Sequence, residues 1–297
     1  MLKAGWLLVT LLMVSNCQSR DDMASISLKN EVSLADLLGP GRYEASGVTV
    51  FNGLYYVALD NDAKVVEVAP NLKTAVLLGD SLGDVGFEGI TVLGQSFLVV
   101  EESLPSNGSY QARLSQQSPQ FIEQHRTWLP VELTSGNKGI EGLTTFEFQQ
   151  KQYVLALCEG NLCASGKKGK KVGGGRIHVF EKSEAWSLVA TIKLPKSLAF
   201  IDYSGIDIRA DGQLIVVSQA SAAVWVGKLL PGTWIVEGEG QTLPFPLSKK
   251  GKIRYCNIEG VAWLDEQHFV AVSDAKKGKQ KKRCKKKEQS IHVFKIH

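Results

Sequence analysis

One short phrase recurs five times along the chain and constrains the fold more than any other feature. Each copy is a small or acidic residue followed by glycine, placed just before or within an apolar run. The copies are Ser46-Gly47, Glu88-Gly89, Glu141-Gly142, Ser204-Gly205 and Glu259-Gly260. Their glycines lie 42, 53, 63 and 55 residues apart. A repeat of this length predicts a modular fold with one structural unit for each copy.

Each copy opens a series of short apolar segments with alternating character. In the fourth unit the run YSGIDI is followed by the turn ADGQ and by the second run LIVVSQA. Turns that contain Asp-Gly or Asn-Gly favour tight hairpins. Most units have a third segment, such as RIHVF or SIHVF, and a less distinct fourth one. Antiparallel strands in groups of four, recurring about every 40 to 60 residues, are typical of a β-propeller.

The two ends of the chain predict how such a ring closes. The chain ends on a third-type segment, SIHVFKIH, so the last unit lacks its fourth strand. The segment SISLKNEVSL near the start supplies one, and pairing it with the C-terminal unit would protect the sheet edges. We therefore predict one all-β domain over residues 26–297, a β-propeller with five four-stranded blades. Six blades are the alternative, if the poorly patterned segment Ser103–Lys138 contains another.

The N-terminal residues predict export. Lys3 precedes the apolar run Ala4–Val14, which is too short to span a bilayer and matches a secretory signal peptide. We assign residues 1–16 to the signal peptide and 17–25 to a polar tether. The phrase VSNC resembles a bacterial lipobox, so Cys17 is predicted to carry a lipid that anchors the chain to a membrane. A plain signal peptide cut a few residues later is the alternative. The expected location is the periplasm or the outer membrane.

The remaining cysteines fit an oxidising compartment. Their even number favours two disulfides, one between Cys158 and Cys163 and one between Cys256 and Cys284. A four-cysteine zinc site is the alternative, but it needs two closely spaced cysteine pairs that this sequence does not contain.

The predicted topology gathers carboxylates on one face. In a four-stranded meander the first strand begins, and the second ends, on the same side. Glu88, Glu141 and Glu259 therefore share a face with the acids that end the second strands, which are Asp60, Glu101, Glu102, Glu159 and Asp274. Asp207 points the same way as Gly205 by strand alternation. Carboxylates this close raise one another's pKa unless a cation lies among them. Oxygen ligands without sulfur suit Ca²⁺, so the candidate metal ligands are Glu88, Glu141, Glu259 and Asp207. Pairing with lysines or with backbone N–H groups is the alternative.

Three basic segments fall on the same predicted face. They are residues 166–176, 248–254 and 276–287, and they hold 18 of the 34 lysines and arginines. Without them the formal charge would change from +4 to −14, so an acidic body has a basic rim that attracts polyanions. A solvated, mobile loop is the alternative for any lysine run. The candidate anion-binding residues are Lys167, Lys168, Lys170, Lys171, Lys249, Lys250, Lys281, Lys282 and Arg283.

Several of these phrases resemble a known family. They are EASGVTVFNGLYYVALDND, GFEGITVLGQSFLVVEES, NKGIEGLTTF and DYSGIDIRADGQLIVVSQASAAVWV. They resemble the SdiA-regulated family of bacterial β-propellers and the related esterase-like domains of phytase, from about residue 44 to the end. In distantly similar lactonase-type propellers a Glu before such a glycine binds calcium in the channel. The resemblance thus implies calcium ligands at the three Glu-Gly phrases, while Ser46 and Ser204 interrupt a complete ring of glutamates.

No familiar catalytic motif occurs, since the sequence contains neither G-x-S-x-G nor H-E-x-x-H. We therefore predict a monomeric, membrane-anchored propeller that binds an anionic small molecule, a glycan, a lipid head group or a protein through its basic loops. Nucleic acid is not expected as a partner of an exported chain. The alternative is a Ca²⁺-dependent hydrolase of phosphoesters or other esters, with its site at the mouth of the channel.

Overall fold

The protein is a five-bladed β-propeller in which every blade is a four-stranded antiparallel sheet. The computed structural model describes residues 24–79, 86–136, 138–275, 277–278 and 280–297. The predicted signal peptide, Cys17 and most of the tether lie outside the described residues. Within those ranges no helix is long and apolar enough to cross a membrane.

The strands follow one another along the chain in blade order. The first strand, β1 (Ile26–Ser33), leads into the short helix α1 (Leu34–Leu38). Blade one contains β2 (Ala45–Phe51), β3 (Leu54–Leu59), β4 (Val65–Val68) and β5 (Ala75–Leu78). Blade two contains β6 (Gly89–Leu93), β7 (Ser96–Ser106), β8 (Ser109–Gln117) and β9 (Glu123–Trp128).

The second half of the ring repeats this pattern. Blade three contains β10 (Ile140–Phe148), β11 (Lys151–Cys158), β12 (Arg176–Lys182) and β13 (Trp186–Lys193), with a 3-10 turn at Asn161–Cys163 and the short helix α2 (Gly166–Gly169) between β11 and β12. Blade four contains β14 (Gly205–Ile208), β15 (Gln213–Ser218), β16 (Ala223–Leu230) and β17 (Ile235–Pro244). Blade five contains β18 (Ile258–Trp263), β19 (His268–Ser273), β20 (Ser290–Ile296) and β1, with a 3-10 helix at Lys282–Lys287.

The ring closes through its two ends, as the sequence predicts. Strand β1 pairs antiparallel with β20, from Ile26 opposite Ile296 to Ser33 opposite Ser290. The prediction of five blades is confirmed, and the six-blade alternative is wrong. The segment Ser103–Lys138 contributes the end of β7 and all of β8 and β9 to blade two. Its strands are long and polar, so they lack the apolar alternation that identifies the strands of the other blades.

Glycines allow the blades to meet at the axis. A Cβ atom added to Gly47 would lie 3.0 Å from the Cα atom of Gly89, and one added to Gly205 would lie 3.1 Å from that of Gly260. A Cβ atom on Gly260 would lie 2.8 Å from the Cα atom of Gly47. The backbones therefore approach more closely than any side chain permits. The space between these phrases is about 10 Å³, at most the room of one water molecule. The channel is therefore too narrow at this level for anything larger than a water molecule.

Apolar side chains fill the interfaces between the blades. The described residues contain five buried clusters, each formed by two adjacent blades. Between blades three and four, for example, Leu155 and Val179 pack with Val216 and Trp225, and all four are essentially inaccessible to water. Burying one such aliphatic or aromatic side chain contributes about 1.5–3 kcal/mol. The clusters hold the five first strands in register around the axis.

Candidate cation site at the channel mouth

An acidic cavity of about 680 Å³ opens at the end of the axis where the first strands begin. Nine carboxylates and three cationic side chains line it, so negative charge dominates among the described residues of its wall. The carboxylates are Glu44, Asp60, Glu88, Glu102, Glu141, Glu159, Asp202, Glu259 and Asp274. The cations are Arg42, Lys138 and Lys277.

Backbone irregularities explain how the repeated phrase places an acid in this cavity. Strand pairing passes from Ile140 opposite Cys158 to Gly142 opposite Leu157, which leaves Glu141 outside the ladder. The same shift occurs around Glu259 in blade five and around Ser46 in blade one. Such a bulge re-aims one side chain without ending the strand. The structure thus brings Glu88, Glu141 and Glu259 to one cavity, as the sequence predicts.

Three carboxylates form the tightest group within the cavity. One oxygen atom each from Glu102, Glu141 and Glu159 lies within 4.8 Å of the others. Oxygens that share one Ca²⁺ are separated by up to about 5 Å, because each lies about 2.3–2.6 Å from the ion. Glu102 sits where the pairing of β7 with β8 is interrupted, and Glu159 directly follows β11. The donor set fits a hard divalent cation.

Burial and mutual repulsion change the acidity of these groups. Burial, followed by the nearby charge of Glu141, holds the pKa of Glu88 well above its ordinary value. The pKa of Glu141 is also raised well above the usual range, by burial and by the carboxylates of Glu102 and Glu259. Burial, followed by Asp274, raises the pKa of Glu259 to about 8, and burial raises that of Asp274 to about 6. At neutral pH Glu259 is therefore largely protonated and Asp274 largely ionised, and a cation bound among these acids would favour their ionised forms.

Backbone N–H groups and two lysine side chains offset part of the negative charge of the cavity. The backbone N–H groups of Lys138 and Gly139 both donate to Oε1 of Glu102, each at 2.6 Å. The Lys138 ammonium group forms an ion pair with Glu159. On the other side, the Lys277 ammonium group lies 3.5 Å from Oε1 of Glu259. The cluster of Glu102, Glu141 and Glu159 therefore has one protein cation at its edge.

Asp207 lies apart from the other three predicted ligands and does not line the cavity. Its partly buried carboxylate accepts hydrogen bonds from the Thr144 hydroxyl at 2.8 Å and from the Trp263 backbone N–H at 2.7 Å. Burial raises its pKa to about 6. Asp207 does point the same way as Gly205, but a Cβ atom on Gly205 would meet blade five rather than open space. The residue connects blades three, four and five.

Two acids of the cavity were not predicted from the sequence, although their spacing from the repeated phrase could have indicated them. Glu44 and Asp202 each stand two residues before a serine of the repeated phrase, Ser46 or Ser204. Both units in which serine replaces glutamate thus supply a carboxylate from two residues earlier. Lys138 and Arg42 come from the connections between blades, where no repeat pattern marks them.

The lysine-rich segments lie on the side of this cavity. Lys170 lines a neighbouring cavity of about 250 Å³ whose wall also includes Lys138, Glu159 and Asp202. The predicted anion-binding side chains are exposed in all three segments; they are Lys167, Lys168, Lys170, Lys171, Lys249, Lys250, Lys281, Lys282 and Arg283. Lys287 differs from them, because its side chain is 8% exposed and forms an ion pair with Glu31.

Two disulfides fix these segments to the propeller, and both confirm the predicted pairing. Cys158 is bonded to Cys163, directly before α2, with Cα atoms 5.1 Å apart. Cys256, two residues after the second basic segment, is bonded to Cys284 in the third, with Cα atoms 5.5 Å apart. The Arg283 guanidinium group also donates to the Ile253 carbonyl at 2.8 Å. The bonds agree with an exported chain.

Several solved structures share the fold. A glutaminyl cyclase from Myxococcus xanthus aligns with a TM-score of 0.55 at 12% identity, over 92% of this chain and 97% of that one. A PQQ-bound aldose sugar dehydrogenase from Streptomyces coelicolor gives 0.51 at 12% identity, over 92% and 98%. A xylose-bound GH43_1 enzyme from Xanthomonas citri gives 0.52 at 10% identity, over 86% and 87%. These identities show a common fold alone. No protein-family model matches the chain, and no curated protein matches it.

Proposed function

We propose that this protein binds a divalent cation, Ca²⁺, at the mouth of its channel and uses it to hold an anionic ligand. The observation that carries the proposal is the convergence of Glu102, Glu141 and Glu159, with ligand oxygens within 4.8 Å, inside a cavity lined by six further carboxylates. Affinity for Ca²⁺ grows with the number of carboxylates and with the rigidity of their positions.

The raised pKa values support a cation rather than a neutral ligand. The pKa values are raised because the carboxylates are poorly hydrated and because they repel one another when ionised. A divalent cation held by Glu102, Glu141 and Glu159 would favour the ionised form of Glu141 and offset the repulsion from the nearby Glu88 and Glu259. Oxygen ligands without sulfur favour Ca²⁺ over softer metals.

The basic side chains support an anionic ligand. Without a cation the cavity would repel an anion, because nine carboxylates face three cationic side chains. A bound divalent cation would raise the positive charge in the cavity from three to five, and an anionic group could then contact the cation together with Lys138, Lys277 or Arg42. The exposed lysines of the three basic segments extend that charge outwards. A phosphorylated or sulfated small molecule, a glycan or a lipid head group suits this arrangement, and a protein partner is the alternative.

The resemblance to the SdiA-regulated and phytase esterase-like propellers belongs to the same proposal. From that resemblance we infer that the protein resides in a bacterial envelope, held to a membrane by a lipid on Cys17. Two disulfides in the folded chain support export. The location in the periplasm or at the outer membrane is part of this proposal.

Hydrolysis of a phosphoester or another ester is a second candidate function. It is favoured by Glu259 and Asp274, whose pKa values of about 8 and about 6 bracket neutral pH. Proton transfer is most effective from groups whose pKa lies near the working pH. Lys277 lies beside Glu259 and would hold the anionic part of a substrate.

The test is calorimetric titration of the purified protein with glucose 6-phosphate and with a heparin oligosaccharide, with added Ca²⁺ or with EDTA. Binding in Ca²⁺ that is lost in EDTA and weakened by salt supports the proposal. An affinity for these ligands that changes neither with Ca²⁺ nor with ionic strength would contradict the proposal. For hydrolysis, turnover of a phosphoester and ester panel should disappear in Glu259→Gln, and the absence of turnover in Ca²⁺ would remove the second candidate.

A further inference from the structure

A second cavity lies on the outer wall of the propeller, between the outermost strands of blades three and four. Its volume is about 430 Å³, and residues of β13 and β17 line it together with the turn before β17. It shares no lining residue with the acidic cavity. Ligand sites for small molecules usually measure about 300–1,000 Å³. The size suits a small organic ligand.

Trp234 is held in an unusual backbone conformation on the wall of this outer cavity. Its φ angle is 55°, in the left-handed region that bulky residues rarely adopt. Its N–H donates to the Leu230 carbonyl at 3.2 Å. Its ring packs edge-on against Tyr153 at 4.8 Å between centroids and against Phe146 at 6.5 Å. The indole is therefore fixed in orientation, while the following Ile235 is 60% exposed.

A bulge places a carboxylate at the same cavity. The ladder between β16 and β17 is interrupted at residues 238–240, where Gly238 and Gly240 both have φ angles of 63°. The residue between them, Glu239, lines the cavity. Its carboxylate accepts a hydrogen bond from the hydroxyl of Ser197, in the connection after blade three. Bulges of this kind commonly re-aim side chains toward a site.

The rest of the wall mixes apolar and hydrogen-bonding groups. Lys193 contributes an ammonium group, while the hydroxyls of Thr191 and Thr233 are bonded to the His178 ring and the Leu230 carbonyl. The apolar part of the wall comes from Ala190, Pro195, Ile235 and Val236. One carboxylate and one ammonium group leave the cavity without net charge. A fixed aromatic face beside several hydrogen-bonding groups matches a pyranose ring, whose C–H face is apolar and whose hydroxyls are polar. A ligand with a net charge gains no net attraction from a wall whose two charges cancel.

We propose that this outer cavity binds a neutral oligosaccharide, with a sugar ring stacked on Trp234 and hydroxyls bonded to Glu239. The site is separate from the acidic cavity and needs no cation. An exported protein would meet such glycans in the envelope or outside the cell. The proposal is independent of the proposed function, because each site can be removed without altering the other.

The test is titration of the purified protein with cellotriose, maltotriose, xylotriose and chitotriose, followed by tryptophan fluorescence and calorimetry. Saturable binding of at least one trisaccharide is expected. Trp234→Ala should weaken it about tenfold or more, since truncating a central aromatic anchor typically has such an effect. Trp128→Ala is the control, because Trp128 is 37% exposed on blade two and should leave the affinity unchanged.

Glu239→Gln keeps the proposal testable if Trp234→Ala does not fold. Glu239 is exposed, and its replacement should weaken trisaccharide binding severalfold while the far-ultraviolet circular dichroism stays unchanged. No saturable response to any of the trisaccharides would overturn the proposal. So would binding that persists in both variants, or a dimer in light scattering that Trp234→Ala converts to monomer, since the cavity would then be an interface between copies.

Discussion

Oε2 of Glu31 lies 3.2 Å from Nδ1 of His292, so a partly buried contact joins the first strand of the ring to the last. The same carboxylate forms an ion pair with Lys287. His292 is inaccessible to water, and its Nε2 lies 3.1 Å from the hydroxyl of Ser273 on β19. The hydrogen bond from His292 and the charge of Lys287 lower the pKa of Glu31 to about 2, while burial lowers that of His292.

Both pKa shifts predict that the folded protein loses stability in acid, because the contact between β1 and β20 is weakened. Because the folded-state pKa of Glu31 lies below its ordinary 4.5, its contribution is complete above that pH and is lost as the pH falls towards 2. His292 acts in the same direction, because below pH 6.5 its imidazole gains a proton in the unfolded chain more readily than in the folded protein, where burial lowers its pKa. Glu31→Gln should lower the free energy of unfolding by about 1–2 kcal/mol at pH 7, after allowance for solvent screening.

Urea unfolding across pH measures this effect. The stability of Glu31→Gln should also fall less than that of the wild type between pH 4.5 and 2, because the titrating group has been removed. Glu184→Gln, in an exposed hairpin, is the control and should match the wild type at every pH. Equal stabilities of all three proteins at pH 7 would show that the contact does not hold the ring.

The acidic cavity predicts the opposite dependence on pH in the absence of cations. The folded-state pKa values of Glu259, about 8, and Asp274, about 6, lie above the ordinary values of 4.5 and 3.8. The folded protein thus holds more protons than the unfolded chain, and stability falls as the pH rises from about 4 to 8. Adding Ca²⁺ should raise Tm more at pH 8 than at pH 5, because fewer protons compete. Differential scanning calorimetry in EDTA and in Ca²⁺ checks this, and an equal rise at both pH values would count against a carboxylate site.

Lys138 is expected to compete with the cation. Its ammonium group is paired with Glu159, one of the three clustered carboxylates, and a cation must displace or repel it. Lys138→Met should therefore tighten Ca²⁺ binding about fivefold, which corresponds to about 1 kcal/mol. Lys151→Met, which removes a comparable ion pair with Glu181 on the outer part of blade three, serves as the control. Weaker Ca²⁺ binding by Lys138→Met would mean that Lys138 supports the site instead.

The two disulfides should differ in their contribution to stability. In the chain-entropy description the bond that closes the longer loop stabilises more. Cys256 and Cys284 are 28 residues apart, whereas Cys158 and Cys163 are 5 apart. Replacing both cysteines of the longer loop by serine should lower the free energy of unfolding by about 3–4 kcal/mol, against about 2 kcal/mol for the shorter one. Chemical denaturation of both variants measures the difference, and a greater loss from the shorter loop would contradict this order.

Much of the fold is predictable from the sequence because its signals are local. The glycines of the repeated phrase mark a backbone approach that no other residue allows, and Gly47 and Gly260 meet as the repeat suggests. The strand SISLKNEVSL finds its partner because the last blade lacks one. Blade two was the least visible part, since β8 and β9 are rich in glutamine, serine and arginine and lack apolar alternation.

The site was predictable only in part. Strand direction and the Glu-Gly phrase indicate Glu88, Glu141 and Glu259, because their positions depend on topology. Asp207 shows the limit of alternation, which gives the side of a strand but not whether that side meets a neighbouring blade or the axis. The position of Lys138 could not be predicted, because it lies in a connection between blades whose path is set by tertiary contacts.

Calorimetric titration of Ca²⁺ into the EDTA-treated protein tests the central claim most directly. The account predicts saturable binding of one or more ions at pH 7.5, weakened at least about tenfold in Glu141→Gln because one charged ligand is lost. The control Glu147→Gln, on an exposed position of the same strand, should bind as the wild type does. Absence of a saturable heat of binding in the folded wild type, or equal affinity in Glu141→Gln, would contradict a cation site at the channel mouth.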